Sequence, residues 1–492
     1  MKKFFVLLLS LTLVFPLTAC KKKKDNIEKL STNLTSYEIN LNINTENKTV
    51  VANQTVDYIN NTNSILKTIK FHLYPQFFEQ GATEYIVPST KMNSAYPNGM
   101  SYADFNVDRV QVDDQEKTVV YDNEFDSILC VELNSSLMPD ERASVYIEFS
   151  FTLPNCYHRF GYGENTINIA NFYPVVCVFE DSQFNTNGYN ANGDPFYSEM
   201  SNYCVNIGLD KQYIVAGTGK KTDEKIEDGN KKVSFQANLV RDFALVLSDR
   251  FEVINTTVEH TQIEYYYISD TTPTKSLQAG VDAIKTFSRL LGDYPYETFA
   301  IVECDFVYGG MEYPNLVMIS SAIENQDDYL NVIIHETAHQ WWYSMVGNDA
   351  YTHPWLDEAL TEFSTLLFYD NCEGYNLNHS QMVDISKENY SLFISVYEDV
   401  LGPIDTSMRC VDEYETEPEY TYCTYVKGVL MFESLYQLIG EKDFINSLKI
   451  YFENNKYSNT IPQDLISAFN KTCKQDLNNF FSSWVEGKVI IR

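Results

Sequence analysis

From residue 37 onward, apolar and polar positions alternate. Tyr37-Glu38-Ile39-Asn40-Leu41-Asn42-Ile43-Asn44 keeps a strict period of two, which places one face of a strand in a core and the other in water. Residues 50–58 and 66–74 repeat that pattern, and shorter runs follow at 109–112, 128–131 and 144–151, separated by Asn-rich turns. The spacing predicts an antiparallel β domain over residues 37–255. One more strand is expected at 264–268, and then the period changes. Residues 276–291 read as an amphipathic helix that Asp293-Tyr294-Pro295-Tyr296 brings to an end. A strand at 299–303 leads to Gly309-Gly310, and three stretches of helical length and pattern close the chain at 426–439, 443–454 and 461–470. The fold class is therefore α+β, with a second, largely helical domain expected over 256–492.

Composition and the N-terminal segment sharpen this reading. The 492 residues, 44% hydrophobic and 21% charged, belong to a globular chain with enough material for more than one core. A formal net charge of -32 excludes a nucleic-acid partner, which requires a basic surface. The N-terminus carries Lys2 and Lys3 and then an apolar run over 4–17, too short for a membrane span and of the length of a secretory core. Leu17-Thr18-Ala19-Cys20 resembles a bacterial lipobox, which implies a signal peptide over 1–19, cleavage before Cys20 and lipid on its sulfur. Lys21 to Lys24 would then lie against anionic headgroups, and residues 20–36 would form a tether. A transmembrane anchor is the alternative; otherwise the chain is extracytoplasmic, held to the bacterial cell membrane through Cys20. The other nine cysteines are dispersed without a C-x-x-C pair, so a cysteine metal site is not expected.

Chemistry concentrates in residues 332–362. His335-Glu336-Thr337-Ala338-His339 sets two imidazoles four residues apart, on one face of a helix, where both can hold a single Zn2+. Tyr329, Leu330, Val332, Ile333 and Trp341 give that helix its apolar stripe, and Gly347-Asn348-Asp349 predicts its stop. A metzincin third ligand is excluded, since Trp342 and Met345 occupy its Gly and His positions. Trp355-Leu356-Asp357-Glu358-Ala359 offers a carboxylate nineteen residues after His339, on a second helix that can pack back. Glu358 is taken as the third ligand. His353 is the rival, although Pro354 places it in the connection. Glu336, beside the first ligand, is the candidate general base.

With these residues the chain resembles the gluzincin aminopeptidases, the family of aminopeptidase N and leukotriene hydrolase. Gly309-Gly310-Met311-Glu312-Tyr313-Pro314 is similar to the family's Gly-x-Met-Glu-Asn motif, and Tyr425-Val426-Lys427-Gly428 to its Tyr-x-Lys-Gly segment. The resemblance implies one zinc per chain, peptide substrates and release of N-terminal residues. It implies an N-terminal β saddle domain and a thermolysin-like peptidase domain; larger members continue with a β module and a helical cap, for which no room is expected here. Pieces of the saddle are matched by Asp194-Pro195-Phe196-Tyr197, by residues 213–219 and by residues 240–244. It further implies that Tyr425 donates to the oxyanion and that Glu312 pairs with the substrate's α-ammonium. Gly309 and Gly310 would border the substrate backbone, with Met311 lining the first side-chain pocket. Tyr313 stands where the family has Asn. A second amine-binding residue is expected from the β domain, near Asn168, Asn171 or Glu180. The family's outer carboxylate position is Thr365 here, and Glu362 is the substitute. An endopeptidase, an epoxide hydrolase of the same fold and a silent surface-binding lipoprotein are the competing readings.

Overall fold

The computed structural model describes residues 26–82, 86–122, 127–194, 196–402 and 404–491. Cys20 and the signal segment lie outside the described residues, as does Pro195. Among the described residues, no helix is long and apolar enough to cross a membrane.

The alternating runs become strands. Thr35–Asn44, Thr49–Ile59, Asp104–Val112 and Arg142–Thr152 join an eight-stranded sheet with Ser201–Asp210, Asn230–Val240, Lys220–Glu227 and Gln115–Lys117. Tyr37, Ile39, Leu41 and Ile43 are buried and their intervening polar neighbours face outward. Each such fully buried aliphatic side chain contributes about 1.5–3 kcal/mol relative to exposure. One pair departs from the antiparallel expectation: Thr35–Asn44 runs parallel to Ser201–Asp210. Strands so far apart in sequence need no tight hairpin, so the direction of pairing is left free. Smaller sheets of two, three and four strands complete the β domain.

A five-stranded sheet then takes over, in the order Glu252–Val258, Thr261–Tyr267, Thr298–Cys304, Leu316–Ser320, Gly310–Met311. The change of sheet falls between Ser248 and Glu252, so Asn255 lies inside a strand of this second set. Its last strand, Gly310–Met311, is antiparallel and sits at the edge, where Gly310 borders the site. Helices Pro273–Leu290 and Gln326–Ala338 pack against it, and Trp355–Asn371 packs on those two helices. Lys427–Ile439, Glu441–Asn455 and Pro462–Cys473 follow as helices, close to the ranges expected from their periodicity. A further helix, His379–Leu401, has no counterpart among the sequence expectations. All nine described cysteines are free.

Candidate metal centre

Asn325 caps the first site helix, its side chain accepting from the backbone of Asp327 and Asp328, and those two acids complement the positive helix end. The helix stops at Ala338, well before Gly347. Beyond Ala338 the bonding tightens, Gln340 N–H to the Thr337 carbonyl and Trp341 N–H to the Ala338 carbonyl, and Tyr343, with φ of 99°, folds residues 341–346 into a tight turn. Both histidines still sit on one face. Their Nε2 atoms are 3.2 Å apart. The second helix, Trp355–Asn371, crosses them and brings Glu358 Oε2 to 3.2 Å from His339 Nε2 and 3.6 Å from His335 Nε2.

Outer partners settle which way the imidazoles are protonated. His339 Nδ1 is 3.0 Å from the carbonyl of Trp342, which can only accept, so Nδ1 carries the proton and Nε2 presents a lone pair. Thr361 Oγ1 lies 3.1 Å from the same nitrogen. His335 Nδ1 points to Glu362 Oε1 at 3.3 Å. Thr365 instead bonds the Thr361 carbonyl. Glu358 Oε2 is buried without a hydrogen-bond donor. Two lone pairs and an undonated carboxylate oxygen converge from three sides, and that donor set fits a zinc ion. Without metal, burial presses both imidazoles toward neutrality, but the carboxylates around them outweigh it and hold their pKa values above the usual range. Burial pushes Glu358 the other way, and the two imidazoles more than reverse it. His353 lines a separate cleft, so the rival ligand is set aside.

A cavity of about 370 Å³ opens over these three residues. Glu336 lies in its wall with Oε2 undonated, and burial raises its carboxyl to about 7. A Cβ at Gly310 would overlap that carboxylate, so the bare edge lets strand and helix meet. Glu312 is 4% exposed and belongs to one cluster of ligand-type atoms with Glu336 and His339, all within 4.8 Å of one another. Burial raises its pKa; His339, the next influence in size, opposes that, and Asp194, Glu336 and Glu358 add to the rise. Met311 corrects an expectation: it is fully buried and does not line the cavity. In a strand, alternate side chains face opposite ways, so Met311 joins the core when its neighbours face the site. Tyr313, in place of the expected Asn, donates from its hydroxyl to Asn171 at 2.5 Å, and its carbonyl accepts from Gln340 at 3.1 Å.

Tyr425 occupies a wide π turn, Tyr422–Val426, set in an otherwise helical run. Its hydroxyl donates to Glu358 Oε1 at 2.5 Å. The residues after it explain the motif. Lys427 is buried and donates to the carbonyls of Thr406 and Trp484, at 2.6 and 2.7 Å. Gly428 lies so close to Ala359 that any side chain would collide, which presses this helix onto the one carrying Glu358.

The residue that sequence reasoning missed is Asp194. Asn168 bonds the carbonyls of His158 and Asp305, Asn171 is used by Tyr313, and Glu180 accepts from Asn185 and Tyr197 beside the other cleft. None of the three lines the metal cavity. Asp194 does, paired with the buried Arg159, and its carboxylate clusters with those of Glu312 and Glu358. The only signal was its place in a segment already matched to the saddle domain.

Comparison with known proteins agrees with this geometry. Residues 276–484 match the peptidase family M1 domain. Aminopeptidase M1-A of Oryza sativa subsp. japonica is 23% identical over 381 residues, 73% of this chain and 42% of the relative. Aminopeptidase N of Lactococcus lactis subsp. lactis is 27% identical over 202 residues, 37% of this chain and 22% of the relative. The chain thus spans less than half the length of these relatives. The M1 zinc metallopeptidase of Deinococcus radiodurans shares the fold with a TM-score of 0.65 at 16% identity, covering 93% of this chain and 95% of its own. The ligand trio, the buried Glu312 and the Tyr425 turn all lie in the stretch 276–484, the part of the chain that matches the peptidase family M1 domain.

Proposed function

We propose that the chain is a zinc-dependent aminopeptidase that removes first residues from peptides. Glu312 carries this reading. It is a buried carboxylate with no lysine or arginine partner among the described residues, set beside His339 and Glu336. A free α-ammonium is the cation that would complete it, and Asp194 offers a second acid from the β domain. An amine fixed there leaves the first peptide bond over the ligand trio.

Zinc held by His335, His339 and Glu358 would polarise that carbonyl and acidify an attacking water. Glu336 takes the proton from the water and returns it to the leaving amine; a carboxyl raised to about 7 suits both tasks. Burial, reinforced by Glu358, keeps the Tyr425 phenol protonated far into the alkaline range. It can therefore donate to the oxyanion as charge develops.

Aminoacyl nitroanilides with a free amine, compared with their N-acetylated forms, test this function. Much faster cleavage of the free series than of the acetylated one, both lost on chelation and restored by zinc, is expected. Equal cleavage of blocked substrates would favour an endopeptidase. The sequence at Leu17-Thr18-Ala19-Cys20 also supports export and a lipid anchor on Cys20. Labelled palmitate should enter the parent chain but not Cys20→Ala.

A further inference from the structure

The β domain reaches the metal centre at a second place. Arg241 and Asp242 follow strand Asn230–Val240 and are each 2% exposed. The Arg241 carbonyl is fixed by the hydroxyls of Ser198 and Tyr203, both at 2.9 Å. Its guanidinium then crosses to the catalytic domain. Nε donates to the Tyr343 carbonyl at 2.7 Å and Nη2 to the Ser458 carbonyl at 2.7 Å, and Nη1 bonds Asn459. Asp242 accepts the Tyr343 hydroxyl. Tyr343 is therefore held at both its carbonyl and its side chain.

Tyr343 is the residue with φ at 99°, a region that an aromatic side chain enters only under constraint. That angle sets how the preceding peptide plane is turned relative to the anchored part of Tyr343. The preceding plane carries the Trp342 carbonyl, the acceptor for His339 Nδ1 at 3.0 Å. We infer that Arg241 and Asp242 are positioning residues for the metal centre: through Tyr343 they aim the Trp342 carbonyl, which orients the His339 imidazole. Neither residue touches the cavity. The inference rests on the zinc reading above. It makes the β domain part of the metal site rather than only a wall beside it.

The experiment compares the full-length parent with Tyr343→Phe, Asp242→Asn and Arg241→Lys. Zinc dissociation constants come from chelator competition, and the visible spectrum of the Co2+-substituted protein reports ligand geometry. Tyr296→Phe is the control. It removes another buried hydrogen bond between the domains, Tyr296 Oη to the Leu239 carbonyl at 2.6 Å, that does not touch the Tyr343 turn. Tyr343→Phe and Asp242→Asn are expected to weaken zinc binding about tenfold to a hundredfold, the range for outer partners of a metal ligand, and to shift the cobalt bands. Tyr296→Phe should lower Tm and leave both readouts at parent values. Parent-like zinc affinity and cobalt bands in Tyr343→Phe would overturn the inference, as would an equal loss in Tyr296→Phe. If Arg241→Lys does not fold, Tyr343→Phe still decides. A parent chain that holds no zinc would instead sink the zinc reading, and this inference with it.

Discussion

Replacing Glu312 by Gln keeps the side chain's shape and removes its charge. Glu312 lies almost wholly out of solvent, and its pKa is raised first by burial and then by Asp194, Glu336 and Glu358, against an opposing pull from His339. It is a carboxyl short of positive charge. An α-ammonium at about 4 Å, in a region of effective dielectric constant about 20, would gain about 4 kcal/mol from it. The amide recovers part of that through hydrogen bonding, which leaves a loss of about 3 kcal/mol, or roughly two powers of ten in kcat/KM. The assay is the kcat/KM ratio between a free aminoacyl nitroanilide and its N-acetylated form. Glu312→Gln should lower the first about a hundredfold and leave the second unchanged. An equal fall for both substrates would place Glu312 in general catalysis or folding, and a fall under about threefold would refute its pairing with the amine.

Tyr425→Phe deletes the donor proposed for the oxyanion, so kcat should fall about 10²–10³-fold with KM little changed; a change confined to KM would contradict that role. Glu336→Gln should lower kcat about 10²–10⁴-fold while metal analysis still finds zinc, since Glu336 is not in the ligand trio. His379 offers a test of stability against pH. Its ring nitrogens lie 2.5 Å from Asp370 and 2.9 Å from Glu433. Burial lowers its pKa, and those two acids more than restore it, so the folded value is raised. A raised pKa gives stability that is complete below the unfolded value of about 6.5 and fades as pH climbs through the folded value. Urea unfolding should therefore show His379→Gln less stable than the parent at pH 6 by on the order of 1 kcal/mol, after solvent screening, with the gap shrinking by pH 9. A gap that is constant with pH would contradict the ion pairs.

The parts of this protein that sequence made legible are those governed by local spacing. An interval of four residues on a helix puts His335 and His339 side by side whatever surrounds them, and a period of two makes residues 37–44 a strand in any β domain. Glu358 was legible because its helix starts soon after the first one ends. Harder to read were features set by residues distant in sequence. The turn at Tyr343, just beyond the end of the first site helix, is held by Arg241 and Asp242, which lie far away in sequence. Asp194 reaches the cavity from a loop whose course depends on its pairing with Arg159. Met311 turned on the face its strand presents, which the motif alone does not state. Glu362 was named only as a substitute for Thr365, and its contact with His335 appears only once both helices are in place.

The most direct test is a zinc titration of the metal-stripped chain alongside Glu358→Gln, followed by elemental analysis after gel filtration. The account predicts one zinc per parent chain, released protons as the imidazoles give up theirs, and little or no retained metal in the variant. A parent chain that retains no zinc, or a Glu358→Gln chain that binds it as tightly as the parent, would contradict the assignment of His335, His339 and Glu358 as the metal centre.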